Sequence, residues 1–166
     1  MSRVFIGVGS NEGERLGHIS RAVQALGAIR GIRVTQMATI SETEPVGPPQ
    51  GPYLNTVIEI ETLLTPQELL SILQEIERTF GRRPSPQRWG PRPIDLDILF
   101  YDDRIVREPD LCIPHPRLHE RRFVLEPLSQ LAPDLIHPAL HQTIAALLDD
   151  MTVNRDPITD HRSRRS

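Results

Sequence analysis

Lysine is absent from this chain, and all 19 of its basic residues are arginine. A P-loop needs a lysine to hold the terminal phosphates of a nucleotide, and a protein kinase needs a lysine on one of its strands. Both of these common frameworks for ATP chemistry are therefore excluded. Any nucleotide chemistry in this protein must rest on arginine side chains and metal ions.

Cysteine is nearly absent too, since Cys112 is the single thiol among 166 residues. One cysteine forms neither an internal disulfide nor a zinc cluster, so we expect a cytoplasmic protein. Long apolar runs are also missing, and no stretch approaches the roughly 20 residues that a membrane helix needs. The run from Val4 to Gly9 is too short for a signal peptide. We therefore expect no membrane partner.

The overall charge and length narrow the class of protein further. A net charge of −3 provides no broad positive surface, which argues against a nucleic-acid partner. The length fits one domain, and we expect it to occupy residues 1–150. The polar residues 151–166 are expected to form a flexible tail, and the chain is expected to act as a monomer on small-molecule substrates.

The most informative stretch begins at Arg88 and ends at Tyr101. Its second half alternates between apolar and acidic residues, which predicts an extended strand. Asp95 and Asp97 fall on one face of this strand, opposite an apolar face made of Ile94, Leu96, Ile98 and Phe100. Alternate residues on a strand stand about 6.6 Å apart, so the two carboxylates are close enough to share hard cations such as Mg²⁺.

The segment before this strand is rich in arginine and proline. It has no acidic residue between Gly81 and Ile94, and its prolines at 84, 86, 91 and 93 forbid regular structure. Guanidinium groups bind phosphate oxygens bidentately, and Mg²⁺ held by carboxylates attracts polyphosphate. An Asp-x-Asp pair alone is more often an exposed, ion-paired part of an edge strand. Together with the arginines, it favours phosphoryl transfer.

Several separated motifs carry a family resemblance. Residues 88–97 read Arg-Trp-Gly-Pro-Arg-Pro-Ile-Asp-Leu-Asp and, with Pro114-His115-Pro116 and Arg121-Arg122-Phe123, resemble the 6-hydroxymethyl-7,8-dihydropterin pyrophosphokinase family of folate biosynthesis. Matching motifs upstream, in the same order, are Gly9-Ser10-Asn11, Thr43-Glu44-Pro45-Val46-Gly47 and Tyr53-Leu54-Asn55. The resemblance covers residues 3 to 148. It implies transfer of pyrophosphate from ATP to the pterin alcohol with two Mg²⁺ ions, releasing AMP.

The same resemblance implies a pterin site. Backbone groups of the predicted loop between Ser41 and Pro52 would read the edge of the ring, and the Asn55 amide would pair with it. Two aromatic side chains would enclose the ring. The implied pterin-binding residues are Thr43, Glu44, Val46, Tyr53, Asn55, Trp89, Asp95 and Phe123. Without the resemblance, this loop is better interpreted as a plain connection.

The resemblance also implies a nucleotide site. Asp95 and Asp97 would hold the metal ions, while Arg82, Arg92 and Asp97 would be catalytic. The implied ATP-binding residues are Gln74, Glu77, Arg82, Arg88, Trp89, Arg92, Ile98, His115 and Arg121. The residue pattern alone leaves Gln74 and Glu77 as an ordinary solvated helix face. Residues 82–92 are expected to close over the substrates and exclude water. Relatives carry further basic residues in this segment, where this chain has Ser85 and Gln87.

The predicted elements define the fold class. A capping box, Thr65-Pro66-Gln67-Glu68, opens the second helix. We expect a return strand after Tyr101, irregular structure over 125–135 and a last helix over 141–149. The order β-α-β-β-α-β predicts an α+β, ferredoxin-like fold: an antiparallel sheet with helices packed on one face and additional C-terminal elements. The predicted strands are 4–9, 32–40, 53–62 and 94–101, and the helices between them are 15–27 and 65–81.

Two other functions are compatible with parts of the pattern. A two-metal phosphohydrolase would also use Asp95 and Asp97, but it normally needs more carboxylate or histidine ligands than this strand supplies. A ferredoxin-like RNA-binding module would need aromatic residues on its sheet and a basic surface. The sequence favours neither of them over the pyrophosphokinase.

Overall fold

The computed structural model describes residues 1–43, 52–80 and 93–154. Its strands are β1 (Ser2–Ser10), β2 (Ile32–Met37), β3 (Ser41–Thr43), β4 (Tyr53–Thr62), β5 (Asp95–Tyr101), β6 (Val106–Glu108) and β7 (Leu111–Ile113). Its helices are α1 (Arg15–Gly27), α2 (Pro66–Thr79), α3 (Arg122–Leu131) and α4 (Ile144–Asn154), with a 3-10 helix at Leu118–Glu120. None of the helices in these ranges has the length and apolar character required to span a bilayer.

The main sheet is antiparallel and places β1 between β4 and β5. Its strand order is β2-β4-β1-β5, and β3 pairs with the beginning of β4. This order and the sequence of elements confirm the predicted ferredoxin-like fold. Because β5 pairs with β1 on one side and lies at the end of this order, its other side is an edge of the sheet.

Ser41–Thr43 was predicted to begin a loop, and this prediction is wrong. These residues form β3, in which Ser41 pairs with Asn55 and Thr43 with Tyr53. The prolines that favoured a loop all follow Thr43 and do not affect these three residues. The pairing matters for the site, since it fixes Thr43 beside Asn55 and Tyr53.

Helices α1 and α2 cover one face of the sheet and build the larger core. The predicted capping box opens α2, with Glu68 N donating to Thr65 Oγ1 at 3.1 Å and Thr65 N donating to Glu68 Oε1 at 2.9 Å. Leu16 shares the helical spacing of the apolar residues of α1, but it is 60% exposed. The buried side chains of the two helices include Ile19, Ala22, Leu26, Leu69, Leu73 and Ile76.

Helices α3 and α4 are the additional C-terminal elements, and they pack on the opposite face. The prediction of irregular structure over 125–135 is wrong for the part that α3 occupies. Leu125 and Leu128 are fully buried against Phe5 and Val57 of the sheet. This packing stabilises a helix that contains Pro127 in its interior. The last helix is confirmed but lies a few residues further along the chain.

Strand β5 contains an irregularity that the alternating pattern did not predict. Ile98 pairs with Ile6 and Phe100 pairs with Phe5, so Leu99 is an extra residue on this strand. Ile98 therefore packs with α1 and α2, whereas Phe100 packs with α3 and α4. The prediction that Phe100 shares a face with Ile98 is wrong, because a bulge reverses the alternation after it.

The return strand after Tyr101 is present, but its partner differs from the expected one. Strand β6 pairs with β7 in a separate two-stranded sheet rather than with β5. The chain then passes through a cis peptide bond between Ile113 and Pro114. This connection brings His115 back to β5, where its backbone N–H donates to Leu99 O at 3.0 Å.

Candidate active site

A cavity of about 530 Å³ lies on the α3 side of the main sheet, beyond the start of that helix. Three neighbouring strands form its floor, and the chain between β7 and α3 forms one wall. It is lined by Gly7, Val8, Gly9, Thr43, Tyr53, Asn55, Thr56, Asp95, Asp97, Leu99, His115, Arg117, Arg121, Phe123 and Val124. Eight of the predicted site residues are therefore brought together here.

The two acidic residues of β5 line this cavity together, as their alternation predicted. Asp97 is exposed and Asp95 is half-buried, while Leu96 between them points into the core. The β1 residue opposite each aspartate is a glycine, since Gly9 pairs with Asp95 and Gly7 with Asp97. Two carboxylates that face one cavity across side-chain-free glycines leave room for cations and phosphate.

The two carboxylates suit hard cations that take most of their ligands from water and substrate rather than from the protein. In the described ranges, no group of three or more histidine, cysteine or acidic side chains is placed to hold a metal ion. Mg²⁺ is commonly bound through one or two carboxylates and completes its octahedron with water and substrate phosphates. Asp95 and Asp97 suit that pattern, whereas a structural zinc site would need four protein ligands.

The β4 side of the cavity holds the amide of Asn55 and an aromatic ring. Asn55 is 8% exposed, and its Nδ2 donates to Thr43 Oγ1 at 2.8 Å. A methyl group added at Gly9 would lie 3.2 Å from Asn55 Oδ1, so this glycine allows the amide to sit against β1. Tyr53 and Phe123 also line the cavity, from β4 and α3. Tyr53 and Asn55 line the cavity, and Val57 lies on the same side of the sheet, in the core with α3 and α4.

The remaining wall is basic. Burial, together with the neighbouring Arg121 and Arg117 charges, lowers the pKa of His115 from 6.5 to about 4. The imidazole is therefore neutral near pH 7. Arg117 N donates to His115 Nδ1 at 3.2 Å, so the ring proton of the neutral form lies on Nε2. This wall presents one neutral donor and two guanidinium groups to a ligand.

The two residues of α2 that were predicted to bind the nucleotide differ in their exposure to solvent. Gln74 is exposed, as a solvated helix face would be. Glu77 is 8% exposed, and its Oε2 accepts a hydrogen bond from Leu96 N at 2.8 Å. The alternative of a solvated face is therefore wrong for Glu77, because the helix turns this carboxylate toward the edge of β5.

Ile98 also lies away from the cavity, with its side chain 5% exposed in the core under α1 and α2. Alternate residues on a strand direct their backbone groups to the same side. Because Leu96 N–H points away from β1 toward Glu77, the N–H and C=O of Ile98 point to that edge as well. A nucleotide contact by Ile98 would therefore be a backbone contact.

Six predicted site residues lie outside the residues that the structure describes. They are Glu44, Val46, Arg82, Arg88, Trp89 and Arg92. Sequence reasoning also missed several residues that the structure places at the cavity. Gly7 and Gly9 form its floor. In the sequence, they could have been identified as glycines at alternate positions of a predicted strand. Arg117 lies on the basic wall. In the sequence, it could have been identified by its position two residues after His115.

Comparisons with known proteins show relatives over most of the chain. A family model described as 7,8-dihydro-6-hydroxymethylpterin-pyrophosphokinase (HPPK) matches residues 5–133. A 2-amino-4-hydroxy-6-hydroxymethyldihydropteridine pyrophosphokinase of Synechocystis is 38% identical over 146 residues, which cover 88% of this chain and 74% of that protein. The protein of the same name from Aquifex aeolicus is 36% identical over 154 residues, covering 92% and 94%.

The fold has solved counterparts as well. A crystal structure of Plasmodium falciparum HPPK-DHPS with pteroate matches with a TM-score of 0.75 at 14% identity. The match covers 96% of this chain and 43% of that longer chain, so the present chain spans less than half of it. At this low identity, the likeness concerns the fold alone.

Proposed function

Because this chain belongs to the 7,8-dihydro-6-hydroxymethylpterin-pyrophosphokinase family, we propose that the cavity at Asp95 and Asp97 is its active site. The enzyme uses ATP as co-substrate and transfers pyrophosphate to the hydroxymethyl group of 6-hydroxymethyl-7,8-dihydropterin in folate biosynthesis, releasing AMP. One observation carries the assignment of the site. A single cavity presents a carboxylate pair, an amide, two aromatic rings and a basic wall.

The pterin is assigned to the β4 side of the cavity. Tyr53 and Phe123 supply apolar faces for a flat ring, and the Asn55 amide supplies a donor and an acceptor for its edge. The hydrogen bond from Asn55 to Thr43 supports this assignment, because it orients the amide before a ligand arrives. Glu44, Val46 and Trp89 belong to this proposal through the family motifs that contain them.

Asp95 and Asp97 are assigned to two Mg²⁺ ions, and Asp95 also to the pterin side of the cavity. When bound, the ions would neutralise phosphate charge and align the triphosphate. Asp97 is exposed in the cavity and Asp95 is half-buried, so both carboxylates are reachable from the same space. No structural rearrangement of β5 is needed for both to face a ligand.

The triphosphate is assigned to the basic wall. His115 donates from Nε2 to a phosphate or ribose oxygen, and Arg121 binds phosphate oxygens with its planar fork. Arg117 lies on the same wall and adds to the positive charge. Gln74, Arg82, Arg88, Arg92 and the backbone of Ile98 complete the proposed nucleotide site. Arg82 and Arg92 stabilise the charge that develops on the transferred group.

The reaction itself needs position and charge stabilisation more than covalent chemistry. The oxygen of the pterin alcohol attacks the β-phosphorus, and a new P–O bond forms. The bond from this phosphorus to the oxygen shared with the α-phosphate breaks, and AMP leaves with that oxygen and its electron pair. We assign the proton of the alcohol to Asp97. Exclusion of water prevents hydrolysis of ATP from competing.

We also propose that the enzyme acts as a cytoplasmic monomer. Cys112 is free and exposed, which suits a reducing compartment.

The experiment that tests this function combines the protein with ATP, Mg²⁺ and the pterin alcohol and measures AMP. We expect AMP only when the alcohol is present. AMP formed without the alcohol would instead indicate a phosphohydrolase, and retention of RNA without turnover would indicate an RNA-binding module. Either outcome would overturn the proposal.

A matched pair of variants tests the carboxylate assignment. Asp97→Asn removes one metal-binding charge without changing side-chain size, and we expect the rate to fall at least about 100-fold with the fold intact. Asp103→Asn is the control, because Asp103 is an exposed residue in the turn after β5 and lies away from the cavity. Equal activity of the two variants would contradict the metal assignment.

A further inference from the structure

Glu77 is a buried carboxylate placed directly behind the two aspartates of β5. It lies near the end of α2, is 8% exposed, and accepts a hydrogen bond from Leu96 N at 2.8 Å. That N–H belongs to the peptide group that joins Asp95 to Leu96. The acceptor on the helix therefore acts on the backbone between the two side chains proposed to hold Mg²⁺.

The position of β5 at the sheet edge explains why this bond matters. Strand β1 holds β5 by a ladder on one side, where Gly9 pairs with Asp95 and Gly7 with Asp97. Among the described strands, none pairs with β5 on its other side. A buried N–H without a partner is destabilising, and a hydrogen bond to a charged acceptor is stronger than one to a neutral acceptor.

The beginning of β5 is thus held from three directions. The hydrogen bonds to β1 hold one edge of the strand, and Glu77 holds the other. The side chains of Ile94 and Leu96 anchor it in the core under α1 and α2, where they are 0% and 4% exposed. The orientation of the Asp95–Leu96 peptide determines the directions in which the Asp95 and Asp97 side chains leave the strand.

We propose that Glu77 is a positioning residue that sets the direction and spacing of Asp95 and Asp97 for Mg²⁺ and ATP. It does so through the Leu96 N–H and without contacting phosphate itself. This role rests on the proposed function of the two aspartates. It differs from the nucleotide contact that the family resemblance implies, and the two roles make opposite predictions for conservative variants.

Two substitutions separate the hydrogen bond from the charge. Glu77→Gln keeps an oxygen acceptor at the same reach but removes the negative charge. Glu77→Asp keeps the charge but draws the acceptor back by one methylene group. If position is what matters, the glutamine variant functions and the aspartate variant does not. If negative charge near the ligand is what matters, the order is reversed.

The measurements are made on the full-length enzyme. The first is the Mg²⁺ concentration that gives half-maximal binding of a non-hydrolysable ATP analogue. We expect Glu77→Asp to raise it about tenfold or more, in the range of partners that orient metal ligands. Glu77→Gln should change it by less than about threefold, because its neutral bond is weaker but present.

The second measurement is hydrogen exchange at the Leu96 amide, which needs neither metal nor substrate. We expect faster exchange in Glu77→Asp and retained protection in Glu77→Gln. The same two changes at Glu75 are the controls, since Glu75 lies on the same helix, is exposed and pairs with Arg78. They should leave both readouts unchanged.

The outcomes distinguish this inference from the function on which it rests. A Glu77→Gln variant that binds Mg²⁺ and nucleotide poorly while Leu96 stays protected would overturn the positioning role. So would normal Mg²⁺ dependence in Glu77→Asp. An unchanged Mg²⁺ requirement in Asp97→Asn would instead overturn the metal assignment, and the exchange result at Leu96 would stand on its own.

Discussion

At the scale of single residues, the fold fixes the orientation of one side chain in the cavity and the protonation state of another. Asn55 is held by Thr43, whose hydroxyl accepts a hydrogen bond from Nδ2 at 2.8 Å, and the amide oxygen lies beside Gly9. His115 is held neutral by burial and by two arginines. Thr43 lies 12 residues from Asn55 in the sequence, whereas the two arginines follow His115 by two and six residues, and both effects give specific predictions.

Removing the Thr43 hydroxyl should weaken binding of the pterin. Thr43→Val has the same shape but cannot accept the hydrogen bond, so the Asn55 amide loses its fixed orientation. We expect the KM for the pterin to rise about fivefold to tenfold, as for the loss of one hydrogen bond. Steady-state kinetics with each substrate varied in turn will measure this change.

Thr43→Ser is the matched control because it restores the hydroxyl. It should return the KM for the pterin toward the original value, and the KM for ATP should stay constant in both variants. A rise in the KM for ATP alone would show that Thr43 does not act through Asn55.

The state of His115 predicts an unusual pH dependence. Its pKa is about 4 in the folded enzyme and 6.5 for an ordinary histidine, so the unfolded chain binds this proton first as the pH falls. This histidine therefore lowers the stability of the fold as the pH falls from 6.5 to 4, and it adds no further change below that. NMR titration of the free enzyme should show no transition of the His115 ring near pH 6.5.

Comparison with His115→Gln isolates this contribution in unfolding experiments. The variant should lose less stability than the original enzyme between pH 6.5 and 4. A His115 ring that titrates near pH 6.5 would contradict the neutral donor proposed for the nucleotide site.

At the scale of elements, β5 and α2 act as one unit. Strand β5 supplies the carboxylates, and α2 supplies both the apolar side chains beneath them and the Glu77 acceptor at the strand edge. The start of α2 is defined by its capping box, far from the cavity. Changes at the two ends of this helix should therefore have different consequences.

Thr65→Ala should lower stability while catalysis stays nearly constant. The substitution removes the side chain that accepts from Glu68 N, and loss of such a cap costs about 1 kcal/mol. Urea denaturation will measure the change in the free energy of unfolding. Ser71→Ala, at an exposed position in the middle of the same helix, should not destabilise the protein. A large loss of turnover in Thr65→Ala at low temperature would show that the cap also supports the site.

At the scale of the whole molecule, the sheet separates two cores with different tasks. The core under α1 and α2 supports the beginning of β5, and the core with α3 and α4 anchors the wall that carries Arg121 and Phe123. The cavity lies where α3 begins and leaves the sheet uncovered. Both cores are apolar, so we expect the fold to be stable without metal.

Removal of Mg²⁺ tests this separation of fold and site. In the absence of ATP, a chelator should leave the thermal unfolding midpoint unchanged, since apolar packing holds the described fold together. With ATP present, Mg²⁺ should raise the midpoint and the chelator should reverse that rise, because a ligand stabilises the state that binds it. Loss of structure on chelation alone would indicate a structural metal and contradict the proposed role of the aspartates.

The sequence by itself determined the features that depend on local periodicity and local hydrogen bonds. Alternation placed Asp95 and Asp97 on one face of β5, helical spacing located α1 and α2, and the capping box marked the start of α2 correctly. These signals depend on residues a few positions apart, so no distant contact was needed to interpret them. The separated motifs were also sufficient to identify the family.

Only the tertiary structure decided the rest. The bulge at Leu99 follows from pairing with β1, the helix at α3 from packing on Phe5 and Val57, and the neutral state of His115 from burial beside Arg121. The bond from Leu96 to Glu77 joins residues 19 positions apart. Each of these depends on which surfaces meet in the folded chain, and local patterns contain no information about such long-range contacts.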